Sequence, residues 1–294
     1  MERYKKRHGD RRDARLIRNV DGMHVVLANI MGDRIENEAV LTIDIDARPI
    51  DAFMKKMNAS GVKEDKITYL QLFIAALFKT VEERPKINRF VKNARYYQRN
   101  EISVAFVAKR FFDDKADEVI IFEKYDPEDS RSVLDQVHDE YVKEVYPLKK
   151  DRKGKEVKDP LGFFTKVPNI MVKAVGKLLR FLDRTDTLPD WLQELDPSHT
   201  TVFISNLGSI DMSANYHHLT NWGTTSVFVL IGKKTVKPVW HEDGSYELVP
   251  YIPLSFTVDE RIADGLYFHK SLEIMKEYLR NPETLFGKTE KKED

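Results

Sequence analysis

Strand patterns at Ala39–Asp46 and Ile102–Ala108 are separated by helical patterns rather than alternating regularly with them. That arrangement predicts an α/β fold, a two-layer sandwich with a mixed β-sheet and helices packed on it. Size agrees: 294 residues, 41% of them hydrophobic, can bury a large core, and roughly 200–250 residues is a common size for one sheet-rich domain.

The elements follow in order. Ala39–Asp46 alternates apolar with polar in its second half, as a half-buried strand does, and Pro49 suits the first turn of the helix after it. Thr68 is placed to cap the next helix. Leu70, Phe73, Ile74, Leu77 and Phe78 recur along it at helical spacing, and Pro85 ends the pattern. Apolar residues at both parities from Ile102 to Ala108 predict a central strand buried on nearly both faces. A helix from about Ser130 places Val133, Leu134, Val137, Tyr141 and Val145 on one side and should stop at Pro147. Asp151–Pro160 has nothing to bury and reads as a mobile loop. Pro168 opens a helix with Ile170, Met171, Val175, Leu178, Leu179 and Leu182, and Leu188–Leu192 begins a shorter one.

Composition excludes several classes. Lys and Arg total 48 against 48 Asp and Glu, so no net field favours nucleic acid or an anionic membrane as the main partner. With no Cys there is no disulfide, thiolate metal site or Cys nucleophile, which fits a reducing compartment. The N-terminus lacks the apolar core of a secretory signal, and Ile67–Phe78 is too short to span a bilayer, so a cytoplasmic protein is expected. The expected layout is a basic arm over residues 1–20, solvated or docked on a neighbouring subunit, one domain over 21–287 and a disordered tail over 288–294.

Four stretches carry a family resemblance. They are Thr201-Val202-Phe203-Ile204-Ser205-Asn206-Leu207-Gly208, Ser226–Lys233, Tyr251–Thr257, and Phe256-Thr257-Val258-Asp259-Glu260-Arg261-Ile262-Ala263-Asp264-Gly265 with the amphipathic run after it. Ile67–Thr80 and Arg84-Pro85-Lys86-Ile87-Asn88 add weaker support. Together they resemble the acyltransferase catalytic domain of the 2-oxoacid dehydrogenase complexes and its relative chloramphenicol acetyltransferase. The resemblance implies the chloramphenicol-acetyltransferase-like fold, with a helical insertion at about 160–197. In those families a strand ends in Asp-His-Arg-x-x-Asp-Gly or His-His-x-x-x-Asp-Gly. The His deprotonates the attacking group, and the Ser of Ile-Ser-Asn-Leu-Gly donates to the oxyanion. Ser205 and Asn206 take the places of that Ser and Asn, whereas Glu260 stands where the base should be. The resemblance also implies that Asp264 pairs with an Arg from near the N-terminus, among Arg11, Arg12, Arg15 and Arg18, and that Gly265 permits a tight turn.

Acyl transfer from a thioester needs a base and an oxyanion donor aimed at one carbonyl. An ordinary Glu falls about four pH units short of a thiol, roughly 5–6 kcal/mol of proton-transfer driving force. Burial of Glu260 would narrow the gap, and Arg261, if it shared that space, would widen it. Tyr216-His217-His218-Leu219 offers a second source of a base; in a strand only one of the two His residues would face the site. His199 and His241 stand isolated, so no metal set is expected. A lipoyl-bearing or subunit-binding segment ahead of the family-like core is not expected. The implied acyl donor is free acyl-CoA, with coenzyme A as product and no lipoyl group on this chain. The implied assembly is a homotrimer or a multiple of trimers, acting on a small molecule. The alternative is an inactive trimer of the same fold serving as a binding or scaffold protein.

Overall fold

The structure, a computed structural model, describes residues 6–61, 65–109, 118–150, 166–194 and 196–286. In chain order the elements are β1 (Ala14–Leu16), α1 (Gly22–Ile30), β2 (Glu38–Asp46), α2 (Ala47–Ser60), α3 (Tyr69–Glu83), β3 (Arg89–Lys92), β4 (Arg95–Arg99), β5 (Ile102–Lys109) and β6 (Glu118–Tyr125). They continue with α4 (Val133–Lys150), α5 (Asn169–Thr185), α6 (Asp190–Glu194), β7 (Val202–Asn206), β8 (Val227–Ile231), β9 (Thr235–Trp240), β10 (Tyr246–Asp259) and α7 (Gly265–Arg280).

Seven strands form the main sheet, in the order β2-β10-β8-β7-β5-β6 with β9 paired to β10. The β5–β7 and β7–β8 pairs are parallel and the others antiparallel, so the sheet is mixed as expected. Strand periodicity divides its two faces. Val202, Ile204, Val227, Val229, Ile252, Leu254, Phe256 and Val258 enter the main core beneath the helices. Residues one step out of phase, including Phe203, Phe228 and Leu230, point to the other face and build a smaller cluster with Leu219.

Helix α3 organises the helical layer. Thr68 accepts from the Gln71 N–H while the Gln71 side chain accepts from the Thr68 N–H, a reciprocal cap that fixes the helix start. Every residue from Leu70 to Val81 is buried, which suits a helix with apolar residues on most sides. Even Lys79 is carried inside, with its ammonium 2.6 Å from Glu82.

Three expectations need correction. Part of the basic arm docks on its own chain: Ala14–Leu16 pairs with β4, and the three-stranded sheet β1-β4-β3 results. Helix α4 runs through Pro147 to Lys150, because a proline so near the C-terminal end removes only one intrahelical bond from a helix already anchored by Val137, Tyr141 and Val145. On β5, Val104, Ala105 and Phe106 are buried, but Val107 is 40% exposed because, among the described residues, no helix covers that part of the second face. The expected loop at Asp151–Pro160 and the tail over 288–294 lie outside the described residues.

Candidate active site

The turn after β10 is held by buried charge. Asp259 is fully buried; Arg261 Nε and Nη2 donate to its two carboxylate oxygens at 2.8 and 2.7 Å. Arg261 Nη1 continues to the Met31 and Gly32 carbonyls. Arg34 lies 3.7 Å from the same carboxylate and donates to the carbonyls of Thr220 and Gly223. A bidentate, desolvated guanidinium–carboxylate pair defines direction as well as position.

This arrangement reassigns three expected roles. Asp264 is exposed and caps α7 through the Tyr267 N–H at 2.8 Å, which lowers its pKa; the buried Arg-paired carboxylate is Asp259. Arg11 is committed elsewhere, to Asp13 and Asp186, and Arg18 lies 3.5 Å from Asp10. Gly265 begins α7 with open space where a Cβ would stand, so no tight turn requires glycine there. Glu260 is exposed, with its N–H donating to the Asn37 carbonyl, and Arg261 turns inward away from it.

The second sheet face carries the other candidates. In register across three strands, Ser205 lies opposite Leu230 and Leu230 opposite Ser255, so Ser205 faces the same side as the smaller apolar cluster. It is half-buried, and among the described residues no hydrogen bond engages its hydroxyl. Asn206 is half-buried beside it, and its carbonyl accepts from Ser209. The chain then folds back tightly. A Cβ on Gly208 would stand 2.7 Å from the Gly232 carbonyl oxygen, and one on Gly232 would stand 2.6 Å from the Ala214 nitrogen. These glycines allow residues 207–214 to lie directly on the end of β8.

The loop that follows carries both remaining His residues. Glu38, opposite Asp259 in the β2–β10 register, accepts from the Leu219 N–H and the Tyr216 hydroxyl. Ser255 Oγ donates to the Asn215 carbonyl at 2.5 Å. The segment is not a strand, so the expected alternation of neighbouring side chains fails: the two imidazoles lie 5.0 Å apart, and both line one cleft. His217 stacks on Phe228, with centroids 3.9 Å apart and planes 7° apart. Its Nδ1 lies 2.8 Å from the His218 carbonyl oxygen, and His218 Nδ1 lies 2.7 Å from that of Leu219. A carbonyl oxygen only accepts, so each Nδ1 carries the proton and, in the neutral ring, each Nε2 is left as the acceptor. The cleft, about 190 Å³, is also lined by Phe203, Leu219, Thr225 and Phe228.

Within one chain, then, His217, His218 and Ser205 share a face and Glu260 stands apart. Ser205 is two residues along β7 from the cleft-lining Phe203, roughly 7 Å. Glu260 is displaced from Ser205 by about 16 Å along the strands and about 10 Å across them, from the Ser205–Leu230–Ser255 register.

Sequence reasoning missed the partners of His199. Its Nε2 lies 3.0 Å from Asp183 and its Nδ1 3.1 Å from Asp196. Burial opposes the imidazolium, but these two carboxylates outweigh it and raise the pKa. Asp196 at i−3 caps the same turn and was visible in the sequence; Asp183 comes from α5 and was not. A larger cleft of about 450 Å³ lies beyond this residue, lined by Arg99, Ser103, Phe122, Lys124, Asp196 and His199. Its size does not make it the reaction site: Arg99, Asp196 and His199 are bonded into the surrounding fold, whereas His217 and His218 line the smaller cleft with no hydrogen bond at Nε2 among the described residues.

Comparison with known proteins bears on the fold and on the last third of the sequence. Residues 187–287 match the family of 2-oxoacid dehydrogenases acyltransferase (catalytic domain), a span that contains Ser205, His217, His218 and Glu260. No curated protein matches the chain. Among solved structures it is similar to a probable dihydrolipoamide acetyltransferase from Listeria monocytogenes, with a TM-score of 0.56 and 15% identity over 89% of this chain and 93% of that one. The cubic core of a pyruvate dehydrogenase multienzyme complex gives a TM-score of 0.57 and 14% identity over 92% and 93%. A chloramphenicol acetyltransferase gives 0.52 and 13% identity over 90% and 99%. At these identities the structural likeness is one of fold. The chain has the chloramphenicol-acetyltransferase-like fold and resembles the acyltransferase catalytic domain in sequence over its last third.

Proposed function

We infer that the protein transfers an acyl group from acyl-CoA to a small-molecule acceptor, with His217 or His218 as the base and Ser205 on the oxyanion. One observation carries this reading: two imidazoles, each with Nδ1 held by a carbonyl and Nε2 open, line a cleft on the sheet face that bears Ser205. The acceptor's proton passes to Nε2 as its oxygen, nitrogen or sulfur bonds to the thioester carbon. Ser205 donates to the carbonyl oxygen as charge develops there, the carbon–sulfur bond breaks, and the proton returns to the leaving thiolate. Glu260, exposed and remote within the chain, is left for a contact across a subunit boundary in a homotrimer or multiple of trimers. The reading places the protein in the cytoplasm, where acyl-CoA is available.

A second reading, an inactive trimer used as a scaffold, has its own support. The buried Asp259–Arg261 pair holds the turn in shape while Glu260 reaches solvent, as expected if structure is kept and chemistry lost. Thiol release from acetyl-CoA, measured against hydroxyl, amine and thiol acceptors, separates the two. Replacing the catalytic His by Gln should lower turnover about 10²–10⁴-fold, with Glu260→Gln nearly silent. A large loss in Glu260→Gln alone would transfer the base to Glu260. CoA binding without turnover on the whole panel would favour the scaffold, and absence of CoA binding would remove the acyl-CoA reading.

A further inference from the structure

Helix α5 contributes little to the core. Along its 17 residues Asp183 is the buried one, while Val172, Gly176, Leu179 and Leu182 are half-buried. At 100° per residue the first three of these half-buried positions and Asp183 form one narrow face, which seats the helix on the protein. The outward arc is divided. Ile170, Met171, Val175, Leu178 and Phe181 make an apolar stripe in which Ile170 is 77%, Leu178 55% and Phe181 61% exposed. Lys173, Lys177, Arg180 and Arg184 make the adjoining stripe. Lys173, Lys177 and Arg180 enter no ion pair among the described residues.

We propose that α5 docks the protein on an anionic lipid surface, with the apolar stripe entering the headgroup boundary and the basic stripe meeting lipid phosphates and carboxylates. The argument is charge complementarity joined to apolar area left exposed among the described residues. A large apolar face bordered by cations is the pattern of helices that lie in a membrane interface. A continuing protein core would not need the cations. At about 25 Å long with four basic residues, the helix lies on a bilayer rather than across it, and no helix among the described residues is long and apolar enough to span one. The chain's zero net charge argues against attraction as a whole, but the cations of α5 are local, and screening restricts their field to a distance comparable with the helix's own width. Each basic residue near an anionic surface strengthens binding about fivefold.

The test is flotation of the full chain with vesicles of phosphatidylcholine alone and with phosphatidylserine added. Binding is expected to the anionic vesicles and to weaken with salt. Lys173→Gln with Lys177→Gln should reduce it more than about tenfold, and Leu178→Gln with Phe181→Gln should reduce it as well. All four sites are exposed, so circular dichroism melts should match wild type; if the apolar pair misfolds, the lysine pair still decides. Equal binding to both vesicle types, or none to either, would overturn the proposal. Concentration-dependent self-association abolished by the Leu178 and Phe181 changes would assign the face to a second copy instead.

Discussion

At the residue scale, the two aspartates of the turn after β10 carry different loads. Asp259 shares its carboxylate with Arg261 and Arg34 where no water reaches it, so Asp259→Ala leaves two buried cations short of a partner. Loss of about 3–5 kcal/mol is expected in urea denaturation. Asp264→Ala removes an exposed cap and should cost less, and Glu260→Gln should leave stability unchanged. Equal losses at Asp259 and Asp264 would return the structural role to Asp264. Glu123 offers a pH test. Both its carboxylate oxygens are buried without a hydrogen bond, and burial, helped by Glu140, pushes its pKa up to about 8. The folded state therefore holds this proton to higher pH than the unfolded chain does. Its contribution is intact below the ordinary carboxylate range and is lost as pH rises through about 8. Glu123→Leu should raise stability in denaturation experiments, by on the order of 4 kcal/mol at pH 8 and little at pH 4. A pH-independent gain would mean that packing rather than ionisation is responsible.

At the element scale, the loop between β7 and β8 sets the positions of His217 and His218, and it does so by backbone proximity. A side chain on Gly232 would meet the Ala214 nitrogen at 2.6 Å and the Pro253 ring at 2.8 Å. Gly232→Ala should therefore push residues 212–216 off β8, cost about 1–3 kcal/mol, and reduce turnover without touching a reacting group. The chemical shifts of the His217 and His218 imidazoles report this directly. If both stay unchanged in the folded variant, the loop is not positioned by this contact. The elements themselves were largely legible beforehand. Helix α3 announced its cap at Thr68 and its end near Pro85, because capping and proline stereochemistry act over a few residues. The α4 terminus was misplaced because proline near a helix end costs too little to override the packing of the preceding turns.

At the scale of the whole molecule, Ser205 and Glu260 lie too far apart within one chain to act on one carbonyl. If both belong to one site, the site needs a second subunit, and analytical ultracentrifugation should show three copies or a multiple of three. A monomer at all concentrations that turns over acyl-CoA would leave the His cleft as a complete site and exclude Glu260 from it. The open part of the sheet face, with Val107 and Ile120 exposed beside half-buried Phe122 and Phe203, is apolar surface such a neighbour would cover.

The fold and its family resemblance were determined by the sequence alone, because apolar periodicity and the strings Ile-Ser-Asn-Leu-Gly and Asp-Glu-Arg-Ile-Ala-Asp-Gly are properties of neighbouring residues. Tertiary structure decided which carboxylate is buried. Asp259 and Asp264 are chemically identical, and only the arrival of Arg34 and of the Met31 and Gly32 carbonyls from far upstream distinguishes them. It also decided that His217 and His218 line one cleft, because an irregular loop held by Glu38 escapes the alternation that a strand would impose. The surroundings of His199 were settled in part the same way: Asp196 is a sequence neighbour, but folding alone brought Asp183 from α5 to the other ring nitrogen. Local order is written in spacing along the chain, whereas burial and ionisation depend on which distant groups share a space, and that is fixed only when the chain has folded.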